Sequence, residues 1–132
     1  MSLTNVDVVR VGVERWVADR DTSWMSDDFV WDLTHYEGWP DKAVHRGLEE
    51  FNAFAETWFE PFEEWRQEIE RIEELSDGRV LAVLHQYGRL RGSNAEVEMR
   101  YAIVFTVRDE KVAVGEAYMP VELALVAFAL ES

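Results

Sequence analysis

Turn signals divide the second half of the chain into successive strands, and this division most limits the folds available to it. The segments between the turns are rich in β-branched and aromatic residues, as strands are. The turns lie at Asp77-Gly78, Gly92-Ser93-Asn94 and Asp109-Glu110. Short turns of this composition join antiparallel neighbours. The pattern predicts strands at residues 79–89, 96–108 and 111–119 that form an antiparallel, curved sheet.

A fourth strand is expected before these three, although the evidence between residues 62 and 75 conflicts. The Glu- and Arg-rich composition of this segment favours a helix. Trp65, Gln67 and Ile69 alternate as in a strand, and the alternation slips by one residue before Ile72. Because a slip of one residue is typical of a β-bulge, we expect a bulged strand here.

Two long helices are predicted in the first half. Residues 5–20 place Val9, Val13 and Trp16 on one face at spacings of three and four, which is typical of an amphipathic helix. The second helix begins at Gly47. Pro61 ends it.

The connection between these helices is predicted to hold two short elements and a loop. Asp21-Thr22-Ser23 has the composition of a helix cap, so we expect a short helix that carries Trp24. Residues 29–33 are typical of a brief strand. Gly38 and Pro40 then indicate a loop.

The last helix, predicted for residues 121–130 after Pro120, is apolar on nearly every side, and Glu122 is its only charged side chain. Such a helix must be covered on more than one side. Two arrangements stay open, which are burial against the domain's own sheet and burial against a second subunit. The second arrangement would make the protein a homodimer, which is the oligomer we expect.

Charge and composition exclude several functions. The chain has 132 residues and a formal net charge of −14, which repels phosphate backbones, so we expect no nucleic-acid partner. It has no cysteine, which excludes disulfides and thiolate zinc sites. His35, His45 and His85 lack the close spacing of a metal motif, so no metal is expected. The length is that of one domain, residues 1–132.

Targeting and cofactor signals are also missing from the sequence. No run approaches the roughly 18 apolar residues that cross a bilayer, and residues 1–4 lack the features of a signal peptide. We therefore expect a cytoplasmic protein without membrane contact. Because the sequence has neither a Gly-rich phosphate loop nor a Ser-centred nucleophile elbow, we expect no nucleotide chemistry and no cofactor.

Residues 30–40 combine an acid, an imidazole, a phenol and two indoles. A carboxylate held among aromatic rings loses hydration, which raises its pKa toward the range useful for proton transfer. Asp32 is therefore the first candidate for a general base, and its alternative role is a structural ion pair or backbone cap. His35 is a candidate proton shuttle, and its alternative role is a loop histidine bonded to the backbone.

Six Trp, seven Phe and four Tyr are many for so small a domain. Large rings fill a core, and they also form the walls of cavities. The rings we consider for contact with a planar ligand are Tyr36, Trp39, Phe54, Trp58 and Tyr101.

Residues 30–41, 45–47 and 104–112 resemble the SnoaL-like branch of the nuclear transport factor 2-like superfamily, which includes polyketide cyclases. The predicted order of elements is similar over nearly the whole chain. The resemblance implies an α+β fold shaped like a cone and also described as cystatin-like. In this fold a curved antiparallel sheet wraps around N-terminal helices and encloses an apolar cavity, and here a C-terminal helix is added. Ketosteroid isomerases share the fold.

The resemblance also implies roles for single residues. Asp32 looks like the isomerase general base, which ends the first strand. Trp16 stands where the isomerases have an oxyanion-hole tyrosine, and Ala102 stands near their second oxyanion donor, a protonated Asp. Ala117 stands where the cyclases have an acid–base Asp. The polar groups of those enzymes are therefore missing at three positions.

Strand parity adds Arg100 to this set. Arg100 and Ala102 would share the cavity side of the sheet with Ala117 and Met119. The family's hydrolases place an Arg between acids, so Arg100 beside Asp32 would form a reduced version of that arrangement. A guanidinium next to Asp32 would lower the pKa of its carboxyl group. Asp32 would then be a steadily ionised base or part of a structural ion pair.

Three functions remain open. The first is a cofactor-independent isomerase, cyclase or lyase acting on an apolar, carbonyl-bearing substrate, with Asp32 as base and Arg100 or His35 steadying the anion. The second is a module that binds a small apolar molecule in the cone without catalysis. The third is a protein-interaction scaffold, natural or engineered, that uses the apolar last helix.

Overall fold

The computed structural model describes residues 4–131, which form three helices and six strands. In chain order the elements are α1 (Asn5–Asp19), β1 (Met25–Tyr36), β2 (Val44–Arg46), α2 (Gly47–Phe59), β3 (Phe62–Glu74), β4 (Val80–Leu90), β5 (Glu96–Arg108), β6 (Lys111–Met119) and α3 (Val121–Ala127). The α+β class and the run of hairpin strands predicted from the sequence are confirmed.

The six strands form one curved, unclosed sheet in the order β2-β1-β6-β5-β4-β3. Hairpins join β3 to β4, β4 to β5 and β5 to β6 in antiparallel pairs. The one parallel pair is β1 with β6, which places the first strand beside the last. The turn signals did not predict this pairing, because it joins segments far apart in the chain.

The bulged strand predicted at residues 62–75 is confirmed as β3. Its pairing with β4 shifts register between Phe62 and Glu64 and again between Ile69 and Arg71. The second shift lies just before Ile72, where the alternation of the sequence slips. The helix-favouring composition was overridden because the apolar residues of this segment follow a strand period.

The short helix expected after Asp21 is wrong. The Asp21 carboxylate accepts hydrogen bonds from the Ser23 backbone N–H at 2.8 Å and the Ser23 hydroxyl at 3.0 Å. These bonds close a turn on Asp21 instead of capping a helix. The indole N–H of Trp24 donates to the Asp21 carbonyl at 2.7 Å, and β1 begins at the next residue, Met25. The brief strand expected at residues 29–33 is therefore part of a strand of 12 residues.

α1 and α2 pack on the concave face of the sheet, where they cover the main apolar core. The Thr4 side chain caps α1 by accepting from the Asp7 backbone N–H at 3.1 Å, and Arg20 ends the helix in the left-handed region. Gly12 lies against the Trp24 ring so closely that a side chain at position 12 would overlap it. The absence of a Cβ therefore lets α1 reach the core.

α3 packs on the opposite, convex face of the sheet. Val121, Ala124 and Leu125 are buried against a second apolar cluster that includes Val104 and Tyr118. The outward residues Leu123 and Val126 are 38% and 81% exposed. The domain's own sheet therefore covers one side of α3, which is the first of the two arrangements considered from the sequence.

None of the helices within residues 4–131 is long and apolar enough to cross a membrane.

Candidate functional site

α1, α2 and the concave face of the sheet surround a cavity of about 70 Å³. Its wall is mainly aromatic and aliphatic. The lining residues are Val13, Trp16, Trp24, Met25, Phe29, Trp31, Leu33, Tyr36, Phe51, Phe54, Ala55, Trp58, Trp65, Gln67, Leu84, Tyr101, Ile103, Phe105 and Ala117. Among residues 4–131, no charged side chain is part of this wall.

Aromatic rings in tilted and edge-on contact make up most of the wall. Phe51 lies at its centre, with ring centroids 5.2 Å from Phe29, 5.7 Å from Trp31 and 5.9 Å from Trp16. Edge-on and tilted pairs at these distances are favourable because the positive edge of one ring meets the negative face of another. The cavity is therefore a gap in a ring-packed core.

Tyr101 and Gln67 supply a polar pair in this wall. The buried Tyr101 hydroxyl donates a hydrogen bond to the Gln67 side-chain oxygen. Burial raises the pKa of Tyr101 above its ordinary range, and the neighbouring Tyr36 adds to the rise. Burial also raises the pKa of Tyr36. Both phenols therefore stay neutral at physiological pH and offer O–H groups without a charge.

Two indole N–H groups in the wall are buried without a partner. The Nε1 atoms of Trp31 and Trp65 have no hydrogen-bond partner within the part of the chain that the structure describes. Trp58 differs, since its Nε1 donates to the side-chain oxygen of the buried Gln86 at 2.8 Å. A buried donor left unpaired costs about 1–3 kcal/mol, which an acceptor brought within reach of it would remove.

Arg20 lies on the outer side of the wall at its α1 end. Its guanidinium carbon is 5.0 Å from the Trp16 ring centroid, 4.3 Å from that of Phe59 and 5.1 Å from that of Trp65. One guanidinium nitrogen also donates to the carbonyls of Trp16 and Val17 at 2.9 and 2.8 Å. Burial lowers the pKa of Arg20. The side chain therefore fastens the end of α1 to the rings that close this end of the cavity.

Asp32 does not line the cavity. Its neighbours Trp31 and Leu33 both do, and successive residues of a strand point to opposite faces. The Asp32 carboxylate accepts a hydrogen bond from the Thr34 backbone N–H at 2.8 Å. The expectation that the first strand delivers this carboxylate into the cavity is wrong, because the apolar phase of β1 faces the core and the acid takes the other phase.

His35 belongs to a cluster on the convex face. Its ring stacks on Tyr118 with centroids 4.4 Å apart, and its Nε2 is 3.8 Å from a Glu116 carboxylate oxygen. Glu116 also accepts from Arg79 at 3.4 Å. Burial, and next the charge of Glu116, raise the pKa of Tyr118. Neither His35 nor Asp32 is among the residues that line the cavity.

The expected parity of β5 is also wrong. Ile103 pairs with Ala117 and lines the cavity, whereas Ala102 pairs with Tyr118 and packs under α3. Arg100 has the same parity as Ala102, and its Nε donates to a Glu70 carboxylate at 2.7 Å on the surface. Arg100 therefore forms no pair with Asp32. Tyr101, Ile103 and Phe105, which alternate along β5, line the cavity instead.

The remaining predicted ligand contacts divide into two groups. Five line the cavity, and they are Trp16, Tyr36, Phe54, Trp58 and Ala117. Trp39 and Met119 pack against the same core without lining the cavity. Tyr36 reaches the cavity although it shares the parity of Asp32, because the pairing of β1 with β6 shifts register between Asp32 and His35.

Trp31, Trp65 and Gln67 were not among the predicted contacts. The signal for Trp31 was present, since Phe29, Trp31 and Leu33 alternate in β1.

No group of three or more His, Asp or Glu side chains within residues 4–131 could hold a metal ion.

A comparison with protein families gives the same assignment as the fold. A model of the SnoaL-like domain matches residues 13–114, which is more than half of the chain. This chain belongs to the SnoaL-like domain family. The match includes α1 from Val13 onward, all elements from β1 to β5 and the cavity-lining residues of both helices. No curated protein sequence matches the chain.

Several solved structures share this SnoaL-like fold. A proposed SnoaL-like polyketide cyclase from Jannaschia sp. CCS1 is 22% identical, with 97% of this chain and 93% of that chain covered and a TM-score of 0.67. TerC, crystallised with polyporic acid, is 17% identical, with 94% and 96% covered and a TM-score of 0.71. A Catenulispora acidiphila DSM 44928 protein with a ketosteroid isomerase-like fold, in complex with trimethylamine, is 14% identical, with 95% and 94% covered and a TM-score of 0.69. At these identities the likeness establishes the fold alone.

Proposed function

We propose that this SnoaL-like protein binds a small, uncharged, largely apolar molecule that carries a carbonyl or similar oxygen acceptor. The observation that carries the proposal is the composition of the cavity wall, which is aromatic and, within residues 4–131, free of charged side chains. An ion placed there would lose its hydration without gaining a counter-charge, at a cost of several kcal/mol. A neutral ring would lose little.

The polar groups of the cavity favour an oxygen acceptor on that ring. Trp31 and Trp65 each bring a buried, unpaired indole N–H, whereas the Tyr101 hydroxyl proton is held in its bond to Gln67. The unpaired indole groups of this wall are therefore donors. A carbonyl oxygen that accepts from an indole N–H would remove the cost of leaving that donor unpaired.

Of the functions left open by the sequence, binding without acid–base catalysis fits the cavity best. Proton abstraction from carbon needs a general base within hydrogen-bond reach of the substrate. The wall formed by residues 4–131 contains no Asp, Glu, His or Lys. Asp32, which the resemblance indicated as base, lies on the other face of the sheet. Ala117 lines the cavity where the cyclases have their acid–base Asp.

Proteins of the same fold that hold small organic molecules support this proposal. TerC was crystallised with polyporic acid, and the Catenulispora acidiphila protein was crystallised with trimethylamine. Both are similar to this chain over more than nine-tenths of its length. These likenesses favour a small organic ligand for this chain, and the wall residues of its cavity then indicate the ligand chemistry.

Titration with 2-acetonaphthone, a neutral aromatic ketone, tests the proposal. We expect saturable quenching of tryptophan fluorescence with the wild type and a weaker affinity for the Trp31→Phe variant, which loses one indole N–H. Val126→Ala, a change of an exposed side chain on the other face, serves as the matched control and is expected to bind as the wild type does. Absence of binding to the wild type, or equal affinity of all three proteins, contradicts the proposal.

The homodimer remains a proposal of its own. Leu123 and Val126 leave an apolar strip on the outward side of α3, which a second copy of the chain would cover. Sedimentation velocity measures the state directly. A dimer that dissociates in the Val126→Asp variant is expected, and a wild-type monomer at micromolar concentration contradicts it.

A further inference from the structure

The cavity is too small for the ligand that its wall chemistry favours. Its volume is about 70 Å³, whereas an apolar cavity that holds benzene has about 150 Å³. A fused-ring ketone is larger than benzene. At least one side chain of the wall must therefore move before such a ligand binds.

An open groove lies directly outside one part of this wall. Phe54 and Trp58 line both the cavity and the groove, which has a volume of about 350 Å³. Trp39 lines the groove and lies across the cavity-lining rings. Its ring centroid is 5.2 Å from Tyr36, 5.7 Å from Phe54 and 6.1 Å from Trp58. Trp39 therefore packs from the groove side on three rings of the cavity wall, two of which, Phe54 and Trp58, line both spaces.

Trp39 differs from its neighbours in how it is attached. Phe54 and Trp58 lie on α2 and Tyr36 lies on β1, whereas Trp39 lies in the loop of residues 37–43. Its backbone N–H donates to the Tyr36 carbonyl at 3.1 Å, and its indole N–H donates to the Lys42 carbonyl at 3.2 Å. Both bonds are made within the loop or at its start. Outward movement of the Trp39 ring therefore breaks ring contacts and the indole bond to Lys42, and within residues 4–131 its backbone bond to Tyr36 at the end of β1 is the one bond that ties Trp39 to the sheet.

Both ends of this loop are fixed, and Lys42, next to the second end, is also held on α2 by a pair with Glu50 at 2.8 Å. The Glu37 backbone N–H donates to the Met119 carbonyl, and the Ala43 carbonyl accepts from the Leu33 backbone N–H, each at 2.8 Å. Gly38 has a φ of 80° and open space around it. A glycine in the left-handed region next to Trp39 gives the backbone freedom that other residues lack. These positions are suited to a hinge between two anchored ends.

We propose that Trp39 controls ligand size: its outward movement frees the Phe54 and Trp58 rings to part and join the cavity to the groove, and the ligand then occupies both spaces. This inference rests on the proposed binding function. The fused ring lies in the cavity, and a hydroxylated, uncharged substituent lies in the groove. The groove favours such a substituent because its wall holds a carboxylate acceptor on Asp41, an ammonium donor on Lys42 and a hydroxyl on Thr57. Aromatic rings line the same groove.

Two probes and one substitution test the role of Trp39. The probes are 2-naphthol and its β-D-glucoside, followed by stopped-flow quenching of tryptophan fluorescence. If the open arrangement is a minor state of a few per cent, Trp39→Ala raises the association rate of both probes by about tenfold or more. Val126→Ala changes an exposed side chain of α3 on the other face of the sheet and is expected to leave the rate unchanged. An unchanged association rate in Trp39→Ala, or an equal rise in Val126→Ala, overturns the assignment of Trp39.

Chemical labelling tests the groove without disturbing the core. Because the chain has no cysteine, Ala53→Cys and Asn52→Cys each give one site for N-ethylmaleimide. Both positions are exposed on α2, and Ala53 lines the groove while Asn52 does not. We expect labelling at position 53 to weaken glucoside binding by about tenfold and labelling at position 52 to leave it unchanged.

The outcomes separate the two proposals. Binding of 2-naphthol without binding of the glucoside, or glucoside binding that labelling at position 53 does not change, overturns the inference and leaves the proposed function standing. Failure of both probes to bind the wild type and Trp39→Ala contradicts the proposed function as well.

Discussion

Trp31 and Asp32 are adjacent in β1 and lie on opposite faces of the sheet. Trp31 is 7% exposed and lines the cavity, whereas the Asp32 carboxylate accepts a hydrogen bond from the Thr34 backbone N–H on the other side. The carboxylate that the family resemblance indicates as a base therefore lies on the face of the sheet away from the cavity.

Substitution of Asp32 by Asn is expected to leave ligand affinity unchanged. Because the carboxylate lies outside the cavity, its charge makes no contact with a molecule inside. The dissociation constant for 2-acetonaphthone, measured by fluorescence titration, checks this expectation against Trp31→Phe, which should weaken binding. A large loss of affinity in Asp32→Asn would return this residue to the binding site.

Trp31→Phe and Trp24→Phe form a matched pair for stability. Both residues line the cavity, but the Trp24 indole N–H donates to the Asp21 carbonyl at 2.7 Å and that of Trp31 is unpaired. Losing a bonded donor costs about 1 kcal/mol beyond the lost ring volume, and losing an unpaired donor does not. Urea unfolding at neutral pH is expected to show the smaller loss of stability for Trp31→Phe. The reverse order would mean that the Trp31 donor is paired in solution.

Stability is expected to fall at alkaline pH because of Tyr101. Burial raises the pKa of Tyr101 above its ordinary value of 10.0. The folded state therefore keeps a proton that the unfolded state releases, so this contribution is complete below about pH 10 and is lost as the pH rises above it. Urea midpoints across the alkaline range measure the effect.

The Tyr101→Phe variant provides the control for that pH dependence. It is expected to be less stable at neutral pH by about 1–3 kcal/mol, because the Gln67 side-chain oxygen loses its donor. Its stability should also vary less with pH above 10, since the buried phenol is gone. A variant that keeps the full alkaline decline would assign the decline to other tyrosines.

Leu125 and Val126 test how α3 is held. Leu125 is buried against the convex face of the sheet, and Val126 is 81% exposed. Leu125→Ala is expected to lower the free energy of unfolding by about 2–4 kcal/mol, whereas Val126→Ala changes it by less than about 0.5 kcal/mol. Urea unfolding of the dilute protein distinguishes them. Equal losses would indicate that both sides of the helix are covered.

The hairpin strands could be predicted from the sequence because their signals are local. Asp109 and Glu110 occupy a tight turn in which both have positive φ, and the bulge before Ile72 appears directly as a slip in the alternation. Turn chemistry and apolar period act within a few residues, so one sequence is enough to read them.

The site was less predictable because it depends on which phase of each strand faces the helices. Asp32 was placed inward by its likeness to an enzyme position and Arg100 by strand parity with Ala102, although the apolar phase of each strand, marked by Trp31 and Ile103, competes for that side. Burial of large rings outweighs burial of a charge, which decides the phase. The separation of Trp39 from the cavity follows from the path of a loop, for which the sequence carries no periodic signal.

The parallel pairing of β1 with β6 also sets the order in which the protein can be completed during synthesis. β1 ends at Tyr36, yet its partner strand spans Lys111–Met119. A nascent chain emerging from the ribosome must therefore carry a first strand that is paired only with the short β2, along residues 30–32, until residues 111–119 have been made. Its exposed Phe29, Trp31 and Leu33 are the surface that a chaperone would meet during that interval.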